Sequence, residues 1–415
     1  MARKRLWLVL GFILGLAFIS IAGAGEGSYT NTIMHPDMET RLRWIESYDR
    51  APQAVINDAL SFSVPLRGSL SLLSYLDYTP SERDQGSCGN CWAWAGTGVM
   101  GIALNVEEGV YDRLSVQFIS SCNTALKCCE GGWLEDFASF YALEGYGIPW
   151  SNANASWQNG DGRCNVLCES ISTLPNYPFI SIAAEAISTH RVGQAQAIAN
   201  IKNILNQNRA VWFGFFMGTQ ADWSSFNAFW NAQTEETLWN FDATCGKPYT
   251  SAGGGHAVLC VGYNDDDPNN AYWIMLNSWG TTASRPNGLF RVDMDMDYDC
   301  YYIDGSYLYF SQYWQTLEVA FDIAKEIVYV EPSAFCGGRT PCYSTIQEAI
   351  NTSGAKATIR IAEGRYLEDV TLNSAKDITL QGGWDASFTA RSSSTTVDSL
   401  TVNSGTVTAE YLVCQ

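Results

Sequence analysis

Histidine is scarce in this chain, with only His35, His190 and His256 among 415 residues. A site built from several imidazoles is therefore excluded, and any metal would have to be held mostly by cysteine or carboxylate groups. Positive charge is also short, with 24 Lys plus Arg against 43 Asp plus Glu, a net charge of −19. That balance disfavours phosphate backbones and anionic membranes, so nucleic acid is not an expected partner. Charged residues make up only 16% of the chain, whereas 47% is hydrophobic and 13% aromatic. This excludes a disordered chain and supplies ample material for folded cores. Beyond Ala22 no uninterrupted apolar run reaches spanning length, so no membrane span is expected once the N-terminus is removed.

What is present at the N-terminus is a basic Arg3-Lys4-Arg5, an apolar run from Leu6 to Ala22 and the small residues Ala22-Gly23-Ala24. Residues 1–24 are predicted to be a signal peptide cut after Ala24, which sends the protein to a secreted or periplasmic location. The alternative is an uncleaved anchor, because the run is near the shortest stretch that spans a bilayer. Thirteen cysteines agree with export, and their odd number leaves one as a free nucleophile with twelve available for pairing.

Residues 25–72 hold a short helix-like stretch, Met38 to Tyr48, then turn-rich sequence without cysteine. They are read either as a propeptide or as an N-terminal extension packed on the body. The main domain is placed at 73–315, with ten of the cysteines and mixed α+β signals. After Asn90, residues Trp92, Ala95, Val99 and Ile102 fall on one helical face. Ile198 to Leu205 reads as a second helix, and Ala210 to Phe216, Ala257 to Tyr263, Tyr272 to Leu276 and Leu289 to Val292 read as strands. Residues 316–327 are expected to be a linker. In 328–415 short Thr/Ile/Val strands recur, among them Thr358 to Ile361, Val370 to Leu372, Ile378 to Leu380, Leu400 to Val402 and Thr406 to Ala409. With Ser344 to Ile350 as a capping helix, they suggest a small all-β, β-helix-like domain, a β-sandwich being the other architecture they fit.

The chemistry is concentrated in three short runs: Gln85-Gly86-Ser87-Cys88-Gly89-Asn90-Cys91-Trp92-Ala93-Trp94, Gly255-His256-Ala257-Val258 and Asn277-Ser278-Trp279-Gly280. A cysteine at a helix N-terminus facing an imidazolium is held as the thiolate, the form that attacks an acyl carbon. Cys91 opens the helical pattern, His256 is a candidate base, and Asn277 can fix the imidazole by a hydrogen bond. The two-residue spacer between Cys88 and Cys91 also suits a metal or redox pair, although so few histidines leave a zinc site dependent on cysteine.

Together these runs resemble the papain and cathepsin family of cysteine proteases over roughly residues 75–310. The resemblance implies a papain-like two-lobed α+β fold, a helical lobe plus a β-barrel-like lobe with the cleft between them. It also implies an endopeptidase that cuts protein or peptide substrates through a thioester acyl-enzyme without a cofactor. It makes Cys91 the nucleophile, His256 the base, Asn277 its orienter and Gln85 the side-chain donor of the oxyanion site. It assigns Gly131 and Gly132 to the wall that binds substrate backbone and gives Trp279 the task of shielding the His256–Asn277 bond. For disulfides it implies Cys88 with Cys129, after which Cys122 reaches Cys164 or Cys168 and Cys128 takes the other. Cys245 with Cys300 and Cys336 with Cys342 complete the candidates; Cys260 reads as a buried free thiol and Cys414 has no clear partner.

Several positions depart from the family pattern. Asn90 stands where Ser or Ala is usual, Gly255 precedes the histidine, and 165 residues separate Cys91 from His256. That separation implies insertions between Phe215 and Cys245, expected as surface loops. The N-terminal segment also lacks the family's long inhibitory helical pattern. Tyr329-Val330-Glu331-Pro332-Ser333 with Ile346-Gln347-Glu348-Ala349-Ile350 resembles the start of a pectate-lyase-like β-helix, a surface suited to glycan or cell-surface contact. Two other functions fit parts of the pattern: a thiol amidase or transpeptidase, and a non-enzymatic surface or glycan-binding module on this scaffold. The acidic runs Asp265-Asp266-Asp267 and Asp293, Asp295, Asp297, Asp299 lack the Gly and Glu of a calcium loop, so no metal is expected.

Overall fold

The computed structural model describes residues 32–63, 67–322, 326–354, 356–374, 376–391 and 393–415. The expected signal peptide, residues 1–24, lies outside them. Eight helices are described: α1 Met38–Arg50, α2 Asp58–Ser63, α3 Cys91–Glu108, α4 Val116–Cys122, α5 Leu134–Glu144, α6 Gln194–Asn206, α7 Gln220–Ala232 and α8 Ile346–Thr352. The first twelve strands are β1 Ser69–Ser71, β2 Tyr146–Gly147, β3 Tyr177–Ala186, β4 Val211–Met217, β5 Leu238–Trp239, β6 Lys247–Pro248, β7 Gly254–Asn264, β8 Tyr272–Leu276, β9 Leu289–Asp293, β10 Tyr301–Asp304, β11 Tyr307–Phe310 and β12 Gln312–Phe321.

One sheet organises the main domain, in the order β2-β3-β12-β4-β7-β8-β9-β5, with β1 added at β7. Its central strands β4 and β7 are apolar and buried almost throughout, as strands covered on both faces must be. Helix α3 is buried on nearly every side. Its small residues permit that: a Cβ on Gly96 would lie 2.7 Å from the Phe137 ring, and one on Gly98 would lie 2.5 Å from Leu259. Gly109, at φ 64°, ends the helix in the left-handed conformation that carries no steric penalty for glycine.

Helix α1 begins because Asp37 accepts the N–H of Thr40 at 2.8 Å, and Pro52 follows its last turn. Arg41, Trp44 and Tyr48 are spaced to point one way and are buried. The Trp44 ring stacks on Trp133, with centroids 5.4 Å apart, and lies 6.4 Å from Phe216. After α1 the chain pairs Gln53 with Ala186, and β1 pairs with β7. Residues 38–53 and 69–71 are thus woven into the main body.

Two segments differ from their expected character. Residues 316–321 are not linker, because β12, which pairs with β4 over Gln312–Gln315, continues along β3 to Phe321 with Leu317, Val319 and Phe321 buried. The insertion after Phe215 is not simply surface loop either. It contains α7, started by Thr219 as N-cap, whose Trp223, Phe226, Phe229 and Trp230 are buried.

The last strands are β13 Ile327–Val330, β14 Cys342–Tyr343, β15 Thr358–Ala362, β16 Gly364–Leu372, β17 Asp377–Trp384, β18 Thr395–Val402, β19 Thr406–Glu410 and β20 Leu412–Cys414. They form two parallel stacks, β14-β13-β15-β17-β19 and β16-β18-β20. From β15 onward the chain adds a strand first to one stack and then to the other. Val328, Val330, Ile359, Ile361, Val370 and Ile378 fill the space between, and Ile346 and Ile350 of α8 join that core. Thr345 caps α8 by accepting the N–H of Glu348.

Candidate active site

Cys91 is the first residue of α3, where unpaired helix N–H groups favour an anion. The main-chain N–H of Ala257, the residue after His256, acts to lower the pKa of the Cys91 thiol. Strand β7, which carries His256, packs against α3, which begins at Cys91. Across the sheet His256 sits opposite Phe215 of β4. Its Nε2 lies 2.8 Å from Asn277 Oδ1, while Nδ1 is buried with no hydrogen-bond partner among the described residues. Asn277 follows directly on β8, and its main-chain N–H donates to Gly288 O at 3.0 Å.

Trp279 stacks on the His256 ring with centroids 4.6 Å apart. It is backed in turn by Phe226 and Trp230 of α7, 5.5 and 5.8 Å away. The insertion that lengthens the gap between Cys91 and His256 therefore buttresses the indole that covers the histidine. Gly131 (φ 103°) borders the groove, whereas a Cβ on Gly132 would strike the Trp92 ring at 2.5 Å, so Gly132 serves packing against α3.

The structure pairs Cys88 with Cys129, Cys122 with Cys168, Cys128 with Cys164, Cys245 with Cys300 and Cys336 with Cys342. The sulfurs of Cys88, Cys128 and Cys129 lie together, but all three are committed to disulfides and have no thiolate to offer a metal. The same bond keeps Cys88 from forming a redox pair with Cys91. Cys91, Cys260 and Cys414 are unpaired, the first two buried and the last exposed.

Gln85 has both ends of its amide engaged. Oε1 accepts from Ser278 Oγ at 2.6 Å, and Nε2 donates to Cys88 O at 2.7 Å and to Thr32 O at 3.0 Å. Thr32 belongs to a strap that crosses the groove. Met34 exchanges two main-chain hydrogen bonds with Gly255, each 2.9 Å, and its side chain packs on Gly131. Glycine is needed beneath it: a Cβ on Gly254 would lie 2.7 Å from Met34 O. Beside the strap a cavity of about 640 Å³ remains, bordered by Leu126, Glu130 and Gly131. With the groove covered, burial pushes the Cys91 thiol up to about 12 against the opposing pull of the Ala257 and Trp92 N–H groups. Burial likewise pushes the His256 imidazole down to about 4, so this covered state holds the pair as thiol and neutral imidazole.

Reading the sequence alone missed Thr32, Met34, Ser278 and Arg83, whose guanidinium donates to Asn277 O. Thr32 and Met34 act through backbone and long-range packing, and neither lies in a motif.

Residues 77–309 match the profile of the family described as "Papain family cysteine protease". This match covers more than half the chain, which belongs to the papain family of cysteine proteases. Among curated relatives, a senescence-specific cysteine protease of Oryza sativa is 25% identical over 267 residues, 62% of this chain and 67% of the relative. The cathepsin B-like CP3 of Giardia intestinalis is 26% identical, covering 51% of this chain and 64% of the relative. Cathepsin S of Bos taurus is 28% identical, covering 47% and 51%. The match thus spans from about half to two thirds of these relatives' lengths. A solved digestive procathepsin L2 from Tenebrio molitor larval midgut aligns with a TM-score of 0.45 at 19% identity, over 69% of this chain and 77% of that one. No helix among the described residues is long and apolar enough to cross a membrane.

Proposed function

We infer that this chain is an exported cysteine endopeptidase that hydrolyses peptide bonds through a thioester acyl-enzyme. The observation that carries the reading is the packing of β7 on α3, with Cys91 at the start of the helix and, on the strand, an imidazole fixed at 2.8 Å by Asn277 Oδ1. Once the groove is open to water, His256 takes the Cys91 proton, and the thiolate attacks the scissile carbonyl. Gln85 Nε2 and the Cys91 N–H then stabilise the oxyanion. The imidazolium protonates the leaving amine, after which a water deprotonated by His256 cleaves the thioester.

The strap contacts support a latent state in which Thr32–Met34 occupies the groove. The burial of Arg41, Trp44 and Tyr48 supports a division of the N-terminal segment. In this reading the strap is the removable inhibitor, and residues 38–72 remain in the mature enzyme. The alternating parallel stacks of residues 328–415 support a short β-helix-like domain suited to surface contact.

The test is labelling of purified, activated protein with an epoxide inhibitor of cysteine proteases, the adduct located by mass spectrometry, together with turnover of peptide substrates. Modification at Cys91 and loss of turnover in Cys91→Ala are expected. Absence of both labelling and turnover after strap removal would overturn the reading.

A further inference from the structure

Arg83 is buried in the main body, 5% exposed, and no Asp or Glu forms an ion pair with it among the described residues. A cation in that position is unfavourable unless its donors are well used. They are directed at two main-chain carbonyls of separate elements: Nε donates to Asn277 O at 3.1 Å, and Nη2 donates to Trp94 O at 2.9 Å. Trp94 lies three residues beyond Cys91 in α3, and Asn277 is the residue holding His256.

The surroundings favour this placement. Gly98 of α3 lies beside the guanidinium, an added Cβ there falling at ordinary contact distance, 3.4 Å, from Nη2. The main chain of Arg83 is itself tied to the site: Arg83 O accepts from Gly280 N at 2.9 Å, Asp84 bridges to Trp279, and Gln85 N donates to Ser278 O at 2.8 Å. Burial, with Arg113 nearby, pushes the guanidinium down to about 9, so it stays charged at neutral pH.

Resting on the peptidase reading above, we propose that Arg83 is a positioning residue whose guanidinium fixes the Asn277 backbone to the nucleophile helix and so sets the register of Cys91 against His256. The planar fork suits this task, because its two donors point along fixed, divergent directions. Without it Asn277 O loses a partner, the Asn277 side chain drifts, and the imidazole is no longer held for proton exchange with Cys91.

The experiment compares activated wild type, Arg83→Met and Arg83→Lys in peptide turnover, thermal denaturation and the pH dependence of Cys91 alkylation by iodoacetamide. Methionine fills the space without a buried charge, so the fold is expected to persist. In Arg83→Met, kcat is expected to fall about 10- to 100-fold with little change in KM, as small displacements of catalytic groups produce. The alkylation profile should shift, because the thiolate–imidazolium pair is less well held, and lysine, whose single nitrogen lacks the fork, should recover only part of the loss. A kcat within about threefold of wild type, or a loss confined to KM with an unchanged alkylation profile, would overturn the proposal. Should Arg83→Met not fold, Arg83→Lys is compared with Arg83→Gln, whose single amide group cannot serve both carbonyls; equal kcat in the two overturns it. A wild type that neither turns over peptide nor alkylates at Cys91 instead removes the peptidase reading itself.

Discussion

Gln85 and Thr32 are joined by a hydrogen bond of 3.0 Å, from the side-chain amide of the first to the carbonyl oxygen of the second. A substrate carbonyl that is to use the same amide must displace the strap, so access to the site and release of residues 32–34 are one event. Met34 is the handle for testing this. Met34→Asp places an unpaired carboxylate at a position only 1% exposed, which the bound strap cannot tolerate. Alkylation of Cys91 in the uncut protein is expected to accelerate by about tenfold or more, as the thiol regains solvent and its imidazolium partner. Equal rates in variant and wild type would mean that the strap does not govern access.

Gln85→Ala separates oxyanion stabilisation from thiol activation. Peptide turnover by the activated enzyme is expected to lose roughly 10²–10³ in kcat, the usual consequence of removing one such donor. Alkylation by iodoacetamide forms no oxyanion and should change little. A parallel loss in both assays would assign Gln85 a purely structural role through its contact with Ser278.

Trp44→Ala tests whether α1 is a permanent part of the body. The indole is 2% exposed and packs against both Trp133 and Phe216, so its truncation should cost about 3–5 kcal/mol in denaturant unfolding. The same loss is expected after activation, and N-terminal sequencing of the active enzyme should place its first residue at or before Met38. A mature N-terminus near Leu73, with no effect of the variant on the activated form, would contradict the division drawn here.

Glu135 sets a pH dependence of stability. Burial raises its carboxyl to about 7, with Asp136 adding to the rise and a hydrogen bond from Gln315 opposing it. Its folded value lies above the unfolded one, so the protein holds the proton more tightly when folded. The stabilisation is complete below about pH 4.5 and is lost as pH rises through about 7. His190 and His256, both pushed down to about 4 by burial, act in the opposite sense and weaken the fold as pH drops from about 6.5 towards 4. Glu135→Gln should therefore raise the melting temperature at pH 8 relative to wild type and have a much smaller effect at pH 4.5. Equal changes at the two values would show that this carboxyl does not titrate between them.

The residues of the candidate site are visible in the sequence because each sits in a short run with a local reason: Cys91 at a helix start, His256 entering an apolar strand, Asn277 at a strand end. Helix α3 is legible for the same kind of reason, its apolar face recurring at three- and four-residue steps. Other parts are not legible. Met34 acts through backbone pairing with Gly255, which no side-chain pattern announces. Arg83 looks like any charged residue before a turn, and only the fold reveals that it reaches two carbonyls and no carboxylate. In α7 the spacing of Trp223, Phe226 and Trp230 is helical, yet an insertion defined by excess length gives no sign that it packs on Trp279. Strand β12 is buried on both faces from Gln312 to Leu317, which removes the alternation that marks a half-exposed strand over that part.

On the division proposed for the N-terminal segment, the anchoring of α1 also makes latency a question of tethering. A cut on the N-terminal side of Thr32 leaves the inhibitory segment attached at Met38 to a helix locked in place. Over so short a leash its effective concentration at the groove is on the order of millimolar, and it rebinds faster than a dilute substrate can compete. A cut between His35 and Asp37 releases a short peptide into bulk solvent, where dilution prevents its return. The placement of one scission, a few residues either way, thus separates a reversible pause from a one-way commitment.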